Sequence, residues 1–192
     1  SNMSTLVQRI DREVGYSNTI IDMLLVNSKQ PSLQSEQFGT QSVVACVEAA
    51  IERYPFSGKK QKQLIDWDGR FDFRFVGSDI LMIHVLFNLF KNAFRAIARA
   101  QKGDIKIWLV PGAKFNDLHF RDTGSGIPAN VLPRIFQRFY SWSKDSNTEQ
   151  GTGVGLAFCK TVIEGCGGHI YCNSVVDQYT EFVMLFPAEP SV

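Results

Sequence analysis

Between residues 122 and 156 the chain carries two glycine clusters with an aromatic pair between them. Asp122-Thr123-Gly124-Ser125-Gly126-Ile127-Pro128 comes first. Phe136 and Phe139 follow inside Arg134-Ile135-Phe136-Gln137-Arg138-Phe139-Tyr140, and then Gly151-Thr152-Gly153-Val154-Gly155-Leu156. Glycine lets a backbone come close to a ligand and leaves its amide donor unshielded, so this order reads as a nucleotide site held by main chain. Any fold for the chain has to serve both turns.

The elements around these clusters alternate. Periodicity and breakers predict helices over 42–54, 78–100 and 154–166, the first ended by Pro55 and the last by Gly167-Gly168. Strands are expected at 64–67 and 71–76, joined around Asp68-Gly69, and at 105–110 and 118–121 around Pro111-Gly112. A closing pair is expected at 170–175 and 182–186. Helices gathered between runs of strands predict an α+β domain, a two-layer α/β sandwich with a mixed sheet and helices on one face. Ahead of it, Leu6, Ile10, Ile20 and Leu24 follow a three-four spacing that predicts one amphipathic helix within 1–30. Residues 31–37 read as a polar linker and 38–192 as the main domain.

Composition bounds the possibilities. The 192 residues, 44% hydrophobic, suffice for one substantial core with an appendage. A net charge of +1 supplies no basic field for nucleic acid and no polybasic membrane anchor. Cys46, Cys159, Cys166 and Cys172 form no C-x-x-C pair and predict reduced thiols, which fits a cytoplasmic domain. No apolar run is expected to reach membrane-helix length. Ser1-Asn2 ahead of Met3 reads as a cloning remnant, so any membrane sensor of the parent protein is expected to lie outside this chain.

The expected helix over 78–100 shows how a site is built. Met82, Leu86, Leu89, Phe90, Ala93 and Ile97 share one face, while His84, Asn88, Asn92, Arg95 and Arg99 line the opposite stripe. An asparagine carbonyl is a hard, neutral oxygen that suits magnesium, leaving triphosphate oxygens and water to complete the octahedron.

Asn88-Leu89-Phe90-Lys91-Asn92-Ala93, the first glycine cluster, the aromatic pair and the second glycine cluster together resemble the N, G1, F and G2 boxes of sensor histidine kinase catalytic domains, in the same order. The resemblance covers roughly residues 38–188 and implies a Bergerat-type ATP-binding fold with ATP and Mg²⁺ as cofactors. It implies that Asn92 ligates Mg²⁺, that Arg95 contacts phosphate, and that Asp122 reads adenine, with Gly124 and Gly126 forming the turn and Ile127 lining the base pocket. Gly151, Thr152, Gly153, Val154, Gly155 and Leu156 would hold the phosphates, and residues 141–150 would form a lid. Thr180, in Tyr179-Thr180-Glu181-Phe182, would reach the adenine, although Tyr179 and Glu181 depart from the family's usual residues. Phe136 and Phe139 are expected to pack against the core, His169 to lie at the surface, and His84 to be structural.

Asn88 stands where relatives that hydrolyse ATP carry a glutamate base, and an amide cannot abstract a proton. A neutral imidazole needs no base to attack phosphorus, so Asn88 is expected to orient the reactants for transfer to histidine, the alternative being that it only satisfies neighbouring backbone groups. The helix within 1–30 resembles the second helix of a dimerising hairpin, and no histidine precedes His84. The acceptor histidine is therefore expected upstream in the parent protein, as part of a homodimer that passes phosphate to a receiver domain or response regulator. The N box further resembles that of bacterial quorum-sensing hybrid kinases. A serine kinase of the anti-sigma-factor kind, a chaperone- or topoisomerase-type ATPase, and a nucleotide-binding module without catalysis stay open as alternatives.

Overall fold

The computed structural model describes residues 39–142 and 153–188. The amphipathic helix, the linker, Gly151, Thr152 and all of the expected lid except Ser141 and Trp142 lie outside the described residues. The chain divides into two compact units, Ser1–Gln37 and Phe38–Val192, and every described element belongs to the second.

In chain order the elements are strand β1 (Gly39–Ser42), helix α1 (Val43–Arg53), a short helix α2 (Lys59–Lys62), strands β2 (Ile65–Asp68) and β3 (Arg74–Gly77), and helix α3 (Asp79–Ala100). Strands β4 (Ile105–Val110) and β5 (Phe115–Asp122), a 3-10 turn at Leu132–Arg134, helix α4 (Gly155–Gly165) and strands β6 (His169–Val175) and β7 (Tyr179–Pro187) follow. The main sheet runs β2-β4-β5-β7-β6, mixed because β2 is parallel to β4 while the other neighbours are antiparallel.

Helix starts follow local chemistry. Ser42 and Ser78 have extended backbones, and their hydroxyls accept the Ala45 and Leu81 amides at 3.1 and 3.3 Å. Helix α1 stops at Tyr54, whose extended backbone is what a residue before proline prefers. Tyr54 then packs on Phe87, Phe90 and Phe94 with ring centroids 5.3 to 5.7 Å apart, tying the end of α1 to α3. The inner sheet face, with Ile105, Ile107, Leu118, Phe120, Phe182, Met184 and Phe186 all buried, carries the helices; Phe90 meets Phe120 edge-on at 5.3 Å.

The outer face is polar and aromatic. Trp108 stacks on His119 at 4.6 Å, and Glu181 binds His119 Nδ1 and Arg121 Nη2 at 3.2 and 3.3 Å. The four cysteines are free thiols, and burial pushes Cys46 up to about 12 and Cys166 to about 11.

Three expectations need correction. The strands flanking Asp68-Gly69 do not pair with each other: β2 joins β4, and β3 pairs with β1, a strand the sequence did not announce. Arg70 folds back on Asp68, and Phe73 and Phe75 pack on Phe186 at 5.5 and 5.3 Å, which draws β3 away from β2 to the core. Strands β5 and β7 also run longer than expected, because Asn116, Asp117 and Glu181 break the apolar run without breaking the ladder. Finally, α3, 22 residues long, does match a membrane span by length and composition, although half of its apolar stretch is buried inside the domain.

Candidate nucleotide site

One face of α3 forms a wall of an open groove. Asn88, Asn92 and Arg95 line it at helical three- and four-residue steps. Asn88 Nδ2 donates to the His84 carbonyl at 3.0 Å, one turn back, which fixes the amide and turns Oδ1 toward the start of α4. A Cβ on Gly155 would sit 2.6 Å from that oxygen, so only glycine lets α4 begin there with Asn88 in place.

The opposite wall comes from the end of β5. Asp122 is 3% exposed, and burial pushes its carboxyl up to about 7, against the Gly124 amide, which donates to Oδ1 at 3.0 Å and favours the charged form. This Asx-type bond starts the glycine turn. Gly124 then meets α3 so closely that a Cβ would fall 2.6 Å from the Ala96 carbonyl carbon, and the Ser125 N–H donates to the Ala96 carbonyl at 3.2 Å. The first glycine cluster is thereby clamped onto the helix that carries the asparagines.

Thr180 faces Asp122 across the β5–β7 ladder and is equally buried. Tyr179 and Glu181, the residues that depart from the family pattern, alternate to the outer face, where Arg121 lies 4.6 Å over the Tyr179 ring. They leave the groove side of β7 to Thr180 and Phe182, both of which line it.

Helix α4 closes the groove with Gly155 and Leu156 at its first turn and Gly153 just before it. Its N-cap, Val154, contributes no side-chain cap, so the first-turn amides stay open to an anion at the positive end of the helix dipole.

Of the residues singled out in the sequence, the groove brings together Asn88, Asn92, Arg95, Asp122, Gly126, Ile127, Gly153, Gly155, Leu156 and Thr180. Gly124 and Val154 act behind it, through the clamp and the helix start. Phe136 packs edge-on to Phe182 at 6.3 Å, but Phe139 does not pack: it is 81% exposed, with φ of 63° and its N–H donating to the Gly153 carbonyl. That bond takes the place of apolar packing in tying the aromatic segment to the second glycine cluster. His169 lies at the exposed start of β6, as expected. His84 meets Phe87 edge-on at 5.9 Å.

Sequence reasoning missed Lys91 and Ser125, and did not place Arg99, Tyr140 or Trp142 at the groove. The helical stripe signalled Arg99; for Trp142, next to the undescribed segment, no local pattern did.

The donor set suits a magnesium ion shared with a triphosphate. Among the described residues no group of three or more His, Cys, Asp or Glu could hold a metal by protein alone, and Asp122 is the only acid lining the groove. The Asn92 and Asn88 side chains supply neutral oxygens on the same wall as Arg95, which fits an ion whose remaining ligands come from phosphate and water.

Comparison with known proteins agrees with this geometry. Residues 77–190 match the family described as histidine kinase-, DNA gyrase B-, and HSP90-like ATPase. The CAI-1 autoinducer sensor kinase/phosphatase CqsS of Vibrio cholerae is 32% identical over 95% of this chain, and the autoinducer 1 sensor kinase/phosphatase LuxN of Vibrio harveyi is 32% identical over 90%. The chain spans 26% and 20% of their lengths. Among solved structures, the catalytic domain of histidine kinase ThkA superposes with a TM-score of 0.62 at 25% identity, covering 80% of this chain and 97% of that one. With its motifs, fold and groove in agreement, the chain belongs to the histidine kinase-, DNA gyrase B- and HSP90-like ATPase family, as an ATP-binding catalytic domain of the sensor histidine kinase kind.

Proposed function

We propose that this domain binds ATP with Mg²⁺ in the groove and transfers the γ-phosphate to a histidine upstream in the parent protein, in a dimer whose receiver domain or response regulator takes the phosphate onward. The observation that carries the reading is the chemistry of the α3 wall. It places Asn88, Asn92 and Arg95 along the groove, and among the described residues the only acid lining the groove is Asp122, on β5.

Water must lose a proton to attack phosphorus, and the amide at Asn88 cannot take one. A neutral imidazole nitrogen brings its own lone pair: its bond to the γ-phosphorus forms while the bond from that phosphorus to the bridging oxygen of ADP breaks. Such a step needs positioning and charge neutralisation. Bound Mg²⁺ would supply Lewis-acid neutralisation between the phosphates. Asn92 would hold it, Arg95 would offset phosphate charge, and Asn88, anchored on the His84 carbonyl, would orient the reactants. Asp122 and Thr180 would select the base, and the α4 N-terminus would hold phosphate oxygens. The autoinducer kinases among the relatives support a parent protein that is a quorum-sensing hybrid kinase with this domain on the cytoplasmic side.

The decisive experiment labels an upstream-extended form with γ-labelled ATP. Phosphohistidine is expected, lost in mild acid and stable in alkali, and Asn92→Ala should abolish it. In the present chain Asn92→Ala should weaken metal-dependent nucleotide binding roughly ten- to a hundredfold. An acid-stable label on the extended form, or phosphohistidine at His84, His119 or His169 of the present chain, overturns the reading.

A further inference from the structure

Ser174 belongs to none of the four motifs, yet its hydroxyl is fully committed beside Thr180, which lines the groove. Its Oγ donates to the Tyr179 carbonyl at 2.6 Å, accepts the Ile127 N–H at 2.8 Å, and lies 3.2 Å from Thr180 Oγ1. A carbonyl oxygen has no proton to give, so the single serine proton goes to Tyr179. One serine lone pair takes the Ile127 amide. The contact with Thr180 is then a hydrogen bond only with the threonine as donor, and this fills the second lone pair.

The consequence falls on Thr180. Its own proton points at Ser174, and only its oxygen lone pairs remain for a ligand. Thr180 stands opposite Asp122 in the ladder, and both are buried and line the groove. Asp122 Oδ1 already accepts from Gly124, and its second oxygen makes no hydrogen bond among the described residues. The β5–β7 wall of the groove thus offers two neighbouring acceptors. An exocyclic amine brings hydrogens to such a pair; a carbonyl oxygen at the same position brings a third acceptor and leaves buried groups unpaired.

We propose that Ser174 is a positioning residue for base selection: by accepting the Thr180 proton it fixes that hydroxyl as an acceptor, so the groove admits a 6-amino purine and rejects a 6-oxo purine. The inference rests on the nucleotide reading of the groove. It assigns Ser174 a role through Thr180, distinct from its tie to the glycine turn at Ile127, which would affect every nucleotide alike.

The test is calorimetry of the full chain at pH 8 with Mg²⁺, comparing ADP with inosine diphosphate, whose base differs in carrying a 6-oxo group and a protonated ring nitrogen. The wild type should favour ADP. Ser174→Ala frees the Thr180 hydroxyl to rotate and donate to the 6-oxo group, so the preference should narrow roughly three- to tenfold, the worth of one neutral hydrogen bond. Ser174→Thr should restore it. Thr180→Val should narrow the preference as well, and adding Ser174→Ala to it should narrow it no further.

An unchanged ratio in Ser174→Ala, with both nucleotides weakened alike, overturns the inference and leaves the nucleotide reading standing. If Ser174→Ala does not fold, Thr180→Val decides, since a preference untouched by losing the threonine oxygen overturns the inference equally. Failure of the wild type to bind either nucleotide overturns the site reading and the inference together.

Discussion

Replacing Asp122 with asparagine should make the ligand-free protein more stable at neutral and alkaline pH. The carboxyl is 3% exposed, and burial lifts it from an ordinary 3.8 to about 7. Below the unfolded value both states hold the proton and the acid has no pH-dependent effect. Between about 4 and 7 the unfolded chain has released its proton while the folded chain retains it, so stability falls as pH rises through this window and levels off above it. A shift of about three units, at about 1.4 kcal/mol per unit, places the full penalty near 4 kcal/mol at pH 8, an upper bound.

Asparagine keeps the shape and the oxygen that accepts from Gly124 but cannot ionise. In thermal melts the Asp122→Asn protein should track the wild type near pH 4 and pull ahead by about 10 °C at pH 8, taking about 2–4 °C per kcal/mol for a domain of this size. Nucleotide affinity should move the other way, falling at least about tenfold with loss of the charged acceptor. Parallel pH curves for the two proteins would refute the argument, because they would mean that Asp122 titrates alike folded and unfolded.

Two further outcomes follow from packing. Gly155→Ala should cut metal–nucleotide affinity by roughly tenfold while leaving the melting temperature within a few degrees, because the new Cβ would lie 2.6 Å from Asn88 Oδ1 and displace that side chain rather than the helix; calorimetry beside a melt separates the two effects. Phe90→Ala removes a fully buried ring that touches Tyr54, Phe94 and Phe120, and denaturant titration should show a loss of about 3–5 kcal/mol; a loss under about 1 kcal/mol would mean that the α1–α3–sheet junction is not the core.

Much of the architecture was legible because the signals were local. Apolar periodicity announced α3, Pro55 the end of α1, and Gly167-Gly168 the end of α4, since helical patterning, proline sterics and glycine freedom act within a few residues. The ordered glycine boxes announced a nucleotide groove for the same reason, as main-chain approach to a phosphate is written in residue type. Strand partners were not legible. Asp68-Gly69 marks a reversal of the chain but carries no information on whether β3 will lie beside β2 or beside β1, which depends on where Phe73 and Phe75 find Phe186.

The site divides the same way. Helical spacing set Asn88, Asn92 and Arg95 on one stripe, and the resemblance of the four ordered motifs to a known family nominated them and Asp122. Only the tertiary structure set Thr180 against Asp122, turned Tyr179 and Glu181 to the other face, left Phe139 exposed, and placed Ser174 where one hydroxyl proton decides what Thr180 can offer. Sequence determined which groups the chain could bring to a nucleotide. The register between distant strands decided which of them meet and which way their protons point, because cross-strand pairing joins residues far apart in the chain.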